Sequence, residues 1–203
     1  MSEIITTVDL MRHGEPEGGQ RYRGSLDDPL SEQGWRQMWA TIGDNCPWDA
    51  VISSPLIRCA VFAQELSEQY SRPLEMISGL REIGFGTWEG LSAGEIEASL
   101  PHALRQFWQD PVKFPPPGGE TLPDFCTRVT TAWNEILVRY PGQHLLVVCH
   151  GGVIRILLSH LLEIPLNRIW RLAVPYASVS RICIYGSGVD ANPLLMFHAG
   201  RLA

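Results

Sequence analysis

The sequence predicts an α/β fold: a three-layer sandwich with a mostly parallel central sheet, an antiparallel edge strand and a helical lid excursion. Three observations predict it. Short apolar runs recur at 4–10, 49–54 and 145–149, the last nearly all-apolar and without alternation, as in a central strand covered on both faces. Stretches with apolar residues at helical spacing lie between them, the alternation that builds a parallel sheet. Near the end, residues 178–184 alternate serine or arginine with Val179, Ile182 and Ile184, and residues 194–197 follow a glycine-rich turn. That pattern reads as a hairpin at the sheet edge.

The first run leads into Leu10-Met11-Arg12-His13-Gly14-Glu15. A buried strand therefore delivers an arginine and a histidine to its C-terminal edge, where ligands bind in open α/β sheets because strand ends and helix N-termini converge. Arg12 offers a planar fork suited to phosphate, and His13 a nucleophile or proton carrier. A chance Arg-His pair at a loop start is the plain alternative. Residues 15–30 are polar and glycine-rich, hence a loop. Its Arg21 and Arg23 either line the mouth of a site or are solvated, and solvated loop arginines are the commoner case. Ser31 suits an N-cap for a helix carrying Trp35, Met38, Trp39 and Ile42 toward the core.

The second strand, 49–54, precedes Pro55, which suits the first turn of a helix running to about Tyr70. Arg58 then sits beside exposed helix N–H groups at the sheet's ligand edge, where helix end and side chain both attract an anion. Leu74, Met76 and Ile77 form a third apolar stretch, followed by Leu80-Arg81-Glu82-Ile83-Gly84-Phe85-Gly86-Thr87-Trp88-Glu89-Gly90. Glycines break regular structure there while Phe85 and Trp88 pack down, which holds Glu82 partly buried and raises its pKa, as a leaving oxygen's proton donor requires. Taken alone, Glu82 reads more simply as a solvated residue on a surface turn. Residues 91–114 carry a helical pattern with Phe107 and Trp108, broken by Phe114-Pro-Pro-Pro-Gly-Gly119. Residues 92–122 read as an excursion that covers the site, with Pro115 to Glu120 as its return, or equally as plain connection. A helix follows over 122–140, then the strand 145–149 ending at His150-Gly151-Gly152, and a helix over 153–162. Residues 164–175 read as a linker.

With 203 residues the chain suffices for one sizeable core, and nothing in its composition marks a second domain within 1–203. A formal charge of −6 gives no long-range attraction for nucleic acid or acidic membranes, so a phosphate site must be a local basic focus. Cys46, Cys59, Cys126, Cys149 and Cys183 are scattered, odd in number and without a CxxC pair. That fits a reducing compartment rather than a disulfide framework or structural zinc. The start, Met1-Ser2-Glu3-Ile4, lacks a signal peptide's features, and no apolar run reaches membrane-spanning length. A cytoplasmic location is the expectation. His102, His144, His160 and His198 lack ligand spacing and read as surface or packing residues.

Three strand ends thus carry Arg12-His13, Arg58 and His150, and one irregular segment carries Glu82. In these motifs the chain resembles the histidine phosphatases, the superfamily that includes cofactor-dependent phosphoglycerate mutases. RHG appears as Arg12-His13-Gly14, SSPLxR as Ser53 to Arg58, the acid segment as Leu80 to Gly90, and the second histidine as His150-Gly-Gly. The resemblance implies a phosphohistidine on His13, with Arg12, Arg58 and His150 neutralising the equatorial oxygens and Glu82 as acid then base. It implies neither metal nor organic cofactor. The chain departs from the family's pattern at Pro16, after RHGE, and at Cys59 to Phe62. The acid-segment wording, the Pro-Gly-Gly-Glu120 return and Val174-Pro-Tyr-Ala-Ser178 look most like α-ribazole-5′-phosphate phosphatases. A small phosphorylated metabolite is therefore the expected partner, and the edge hairpin a candidate homodimer surface.

Rival readings remain. Phosphoglycerate mutase-type transfer would use the same residues. Cys149 and Arg155 satisfy the C-x5-R spacing of cysteine phosphatases, and a phosphate pocket without turnover would make a binding module. Both of these leave residues among His13, Glu82 and His150 unused.

Overall fold

The computed structural model describes residues 4–44, 46–186 and 191–202. The starting residues Met1 to Glu3 and residues 187–190 of the glycine-rich turn lie outside them. Six strands, β1 (Ile5–Arg12), β2 (Ala50–Ser53), β3 (Leu74–Met76), β4 (His144–Cys149), β5 (Val179–Tyr185) and β6 (Asn192–Gly200), form one sheet in the order β3-β2-β4-β1-β5-β6. The first four of that order are parallel, and β5 runs antiparallel to β1 and β6. The expected edge hairpin is β5–β6.

The unbroken apolar run of β4 has a direct cause. Leu145, Val147 and Cys149 face one layer while Leu146 and Val148 face the other, and all five are fully buried. On one face, Met38 and Ile42 of α1 (Glu32–Ile42) and Cys59, Phe62, Ala63 and Leu66 of α2 (Ile57–Tyr70) pack with Trp48. The other face carries Phe125, Val129, Trp133 and Ile136 of α5 (Leu122–Arg139) and the apolar side of α6 (Gly151–Leu161). The same core takes in Phe85 and Trp88, with Ile96 of α3 (Ala93–Ser99) and Leu104 and Phe107 of α4 (Ala103–Gln109). None of the described helices is long and apolar enough to cross a membrane.

Local rules explain most boundaries. Ser31 Oγ accepts from Gly34 N–H at 3.0 Å, capping α1 as expected. Pro55 is not in α2's first turn, because Leu56 is the N-cap and the helix begins at Ile57. The 91–114 pattern splits into α3 and α4 at Pro101, where His102 takes a left-handed φ of 70°. The 164–175 linker contains a 3-10 helix, Leu166–Arg171. The serine of β5 does not face outward: Ser180 is buried and its hydroxyl meets His198 Nδ1 at 2.8 Å.

One buried cluster has no motif in the sequence. Asp9, fully buried in β1, accepts from Arg181 Nε (2.7 Å) and Nη2 (2.9 Å), from Trp48 Nε1 (2.8 Å) and from His144 Nε2 (2.9 Å). Burial pushes this carboxyl up, but the bonds from His144, Arg181 and Trp48 outweigh it and hold the pKa below the usual 3.8. The stability it adds is therefore complete above the unfolded value and disappears as pH falls through the lower folded one. Asp9→Asn should lose about 3 kcal/mol in urea unfolding at pH 7, as expected for a buried charge left without its partner. It should also lose less further stability than wild type between about pH 4 and pH 2.

Candidate active site

Sheet register assembles the site. Arg12 on β1 is opposite Cys149 on β4, and His13 N–H donates to the Cys149 carbonyl at 3.0 Å. The strand ends carrying His13 and His150 therefore leave the sheet side by side, with imidazole centroids 5.2 Å apart. On the other side of β4, Ser54 N–H donates to Val148 O at 3.0 Å. The Ser54 hydroxyl meets His150 Nε2 at 2.7 Å. The turn after Ser54 opens α2 and places Arg58 in its first turn.

His13 is 5% exposed, and its Nδ1 lies 2.7 Å from the Gly14 carbonyl oxygen. A carbonyl only accepts, so Nδ1 carries the proton and Nε2 keeps its lone pair. Burial, then the charges of Arg12 and Arg58, hold this imidazole's pKa well below the ordinary 6.5. His150, completely buried at the N-cap of α6, is depressed in the same way by burial, Arg58, His13 and Arg12. Both rings are neutral where free histidine begins to charge.

Arg12 donates to Val174 O at 2.6 Å and lies 4.0 Å over the Tyr176 ring. Burial lowers its pKa, against the opposing pull of Tyr176 and Glu82. Its Nε is buried and has no hydrogen-bond partner among the described residues, as is true of Arg58 Nε. Arg58, 1% exposed, donates to Leu26 O (2.8 Å) and Gly24 O (3.1 Å). Glu82 is half-buried against the start of α6: its Oε2 accepts from Gly152 N–H and its Oε1 from Ile83 N–H, each at 3.0 Å. A Cβ on Gly152 would come within 2.2 Å of Glu82 Oε1, so glycine there is what admits the carboxylate.

A cleft of about 630 Å³ is lined by Arg12, His13, Glu82, Gly151 and Gly152, with Ser92, Gly94 and Trp108 from the excursion. The five expected residues thus come to one place, Arg12, His13 and Glu82 lining the cleft and Arg58 and His150 buried next to it. Arg21 lines the mouth, exposed, with one bond to Gly90 O at 3.2 Å. Arg23 also reaches the cleft, yet Asp28 (2.5 Å), Gly19 O (2.6 Å) and Glu17 O (2.5 Å) engage its guanidinium, so it is chiefly a loop staple.

Two lining residues escaped the sequence reading in this role. Tyr176 contacts both Arg12 and His13, its ring 5.7 Å from the imidazole. Arg155 of α6 donates to Leu172 O at 2.9 Å, and burial lowers its pKa to about 10. An arginine inside the apolar run Val153-Ile-Arg-Ile-Leu-Leu was the available signal. Cys149 belongs to the core, and burial raises its pKa well above that of a free thiol. The C-x5-R reading fails on that point, since attack needs a thiolate.

The family model "Histidine phosphatase superfamily (branch 1)" matches residues 8–193. The chain belongs to that superfamily. Bifunctional protein Rv2228c of Mycobacterium tuberculosis is 34% identical over 195 residues, covering 94% of this chain, which spans only 53% of that relative's length. Phosphoserine phosphatase 1 of Hydrogenobacter thermophilus is 34% identical over 179 residues (85% of this chain, 84% of the relative). The adenosylcobalamin/α-ribazole phosphatase of Salmonella typhimurium is 31% identical over 182 residues (86% and 89%). Among solved structures, Bacillus stearothermophilus YhfR superposes with a TM-score of 0.85 at 29% identity, covering 98% of both chains.

The depressed imidazoles carry a direct test. At pH 6.0 a free histidine is about three-quarters protonated. In ring-labelled NMR, His13 and His150 should keep neutral shifts at that pH, where a free histidine reference is mostly charged.

Proposed function

We propose that the protein hydrolyses phosphomonoesters through a phosphohistidine on His13. The observation carrying this reading is the buried His13 imidazole with Nδ1 2.7 Å from Gly14 O, a contact that assigns the proton to Nδ1 and the lone pair to Nε2, beside Arg12 in a cleft that holds a carboxyl group. Nε2 attacks phosphorus as the ester P–O bond breaks, and the carboxylic acid of Glu82 protonates the leaving oxygen. A water then gives its proton to the Glu82 carboxylate and its oxygen to phosphorus. The P–N bond breaks, releasing inorganic phosphate and restoring neutral His13. Arg12, Arg58 and His150 stabilise charge on the equatorial oxygens, the main contribution when catalysis is positioning and electrostatics.

The substrate in this reading is a small phosphorylated metabolite, with α-ribazole 5′-phosphate as the first candidate. Its support is the acid-segment wording and the Salmonella relative, set against a phosphoserine phosphatase of similar identity. The excursion over 92–122 acts as a lid, supported by Ser92, Gly94 and Trp108 at the cleft. All five cysteines are free, which supports a reducing, cytoplasmic setting.

Hydrolysis of 4-nitrophenyl phosphate and α-ribazole 5′-phosphate by wild type, His13→Ala, Glu82→Gln and Cys149→Ala tests the reading. His13→Ala should be inactive, Glu82→Gln reduced about 10²–10⁴-fold in kcat, and Cys149→Ala close to wild type. Enzyme quenched during turnover of labelled substrate should carry phosphate that is acid-labile and alkali-stable. Label retained in His13→Ala, or activity lost only in Cys149→Ala, would refute the mechanism.

A further inference from the structure

Glu89 is the second carboxylate of the acid segment, and its surroundings are unusual. It follows the 3-10 helix Gly86–Trp88, and its carboxylate meets four backbone N–H groups. Oε1 accepts from Phe85 (2.8 Å), Ser25 (2.9 Å) and Gly24 (3.2 Å), and Oε2 from Gly24 (2.9 Å) and Leu26 (3.1 Å). Three of the four belong to the consecutive run Gly24-Ser25-Leu26. The carbonyls of that run hold Arg58: Gly24 O accepts from Nη2 and Leu26 O from Nη1.

One peptide unit therefore has two charged neighbours. The bond between Gly24 and Ser25 points its N–H at Glu89 and its C=O at Arg58. An anion on the N–H side and a cation on the C=O side polarise the peptide in the same sense, so each hydrogen bond strengthens the other. The loop has little freedom to take another path. A Cβ on Gly24 would lie 1.9 Å from Ile83 O, and Gly90 N–H donates to Tyr22 O at 2.9 Å. The segment bearing Glu82 and the loop bearing Arg58's acceptors are thus fastened together at Glu89.

We propose that Glu89 is a positioning residue: acting through the Gly24–Ser25 peptide and the Leu26 carbonyl, it sets the guanidinium of Arg58 for the phosphoryl group. This rests on the phosphatase reading, in which Arg58 contacts phosphate. Glutamine at 89 would present an NH₂ group to backbone N–H donors, so an isosteric change removes acceptors and adds a repulsive contact. Aspartate keeps the charge on a shorter arm. Arg58 should then bind phosphate from a less defined position, weakening the transition state more than the fold.

The test is a double-mutant cycle with 4-nitrophenyl phosphate as substrate and inorganic phosphate as competitive inhibitor. Glu89→Gln should lower kcat/KM about tenfold or more and weaken phosphate inhibition, with Glu89→Asp recovering part of both. In an Arg58→Ala background, Glu89→Gln should change kcat/KM less than about twofold, because the residue it acts through is gone. Equal losses in both backgrounds would overturn the proposal and leave Glu89 a loop staple. Amide hydrogen exchange of wild type gives a reading that needs no variant to fold. Gly24, Ser25 and Leu26 should be protected, and exchange at free-loop rates would also overturn it. A wild type without phosphatase activity, or with activity surviving His13→Ala, would instead count against the phosphatase reading itself.

Discussion

The register of β1 against β4 is the constraint on which the site depends. Parallel strands end their side chains at the same edge, and the pairing of Arg12 with Cys149 makes the following residues, His13 and His150, neighbours. No loop search is needed to bring the two rings together, because the sheet's backbone hydrogen bonds do it. Around this fixed pair the remaining groups arrive by short routes. Arg58 comes from the first turn after β2, Glu82 from the irregular chain after β3, and Tyr176 from the residues entering β5, where Ala177 N–H donates to His13 O at 3.1 Å.

Burial then decides the charge distribution. Both histidines are desolvated and lie near guanidinium groups, so each pays twice for a proton and remains neutral. The positive charge stays on arginines, whose ordinary pKa lies far above neutrality. The arrangement separates two tasks that one residue type would confuse: a lone pair on imidazole nitrogen, and fixed cations around it. The Glu82 carboxylate, held by two backbone N–H groups, adds the acidic group without an ion pair that would occupy an arginine.

Much of this was legible in the sequence because strand ends are local features. An apolar run stopping at Arg12-His13 or His150-Gly-Gly announces both the element and its edge, and the motif spacing supplied the family. Arg155, Tyr176 and the bonding of Glu89 were not legible in that way. Their contacts come from packing between segments distant in the chain, such as Glu89 with Gly24 to Leu26. The misplacement of Pro55 has a similar origin: a proline suits N1, but the chain must first turn from the sheet, and Leu56 takes the cap. Ser180 also looked solvent-facing by alternation. Pairing of β5 with β6 and a hydrogen bond to His198 bury it.

The Asp9 cluster has a meaning beyond its stability. Side chains alternate along a strand, so a slip of one residue between β1 and its neighbours would turn Asp9 to the opposite face. Arg181, His144 and Trp48 would then lose their shared acceptor, while an unpaired carboxylate entered the layer of Val8 and Leu10. The wrong alignment is thus penalised by electrostatics, where hydrophobic contacts among similar aliphatic side chains would discriminate poorly. Asp9 works as a proofreading device for the assembly of the sheet, and the alignment it enforces is the one that sets His13 beside His150.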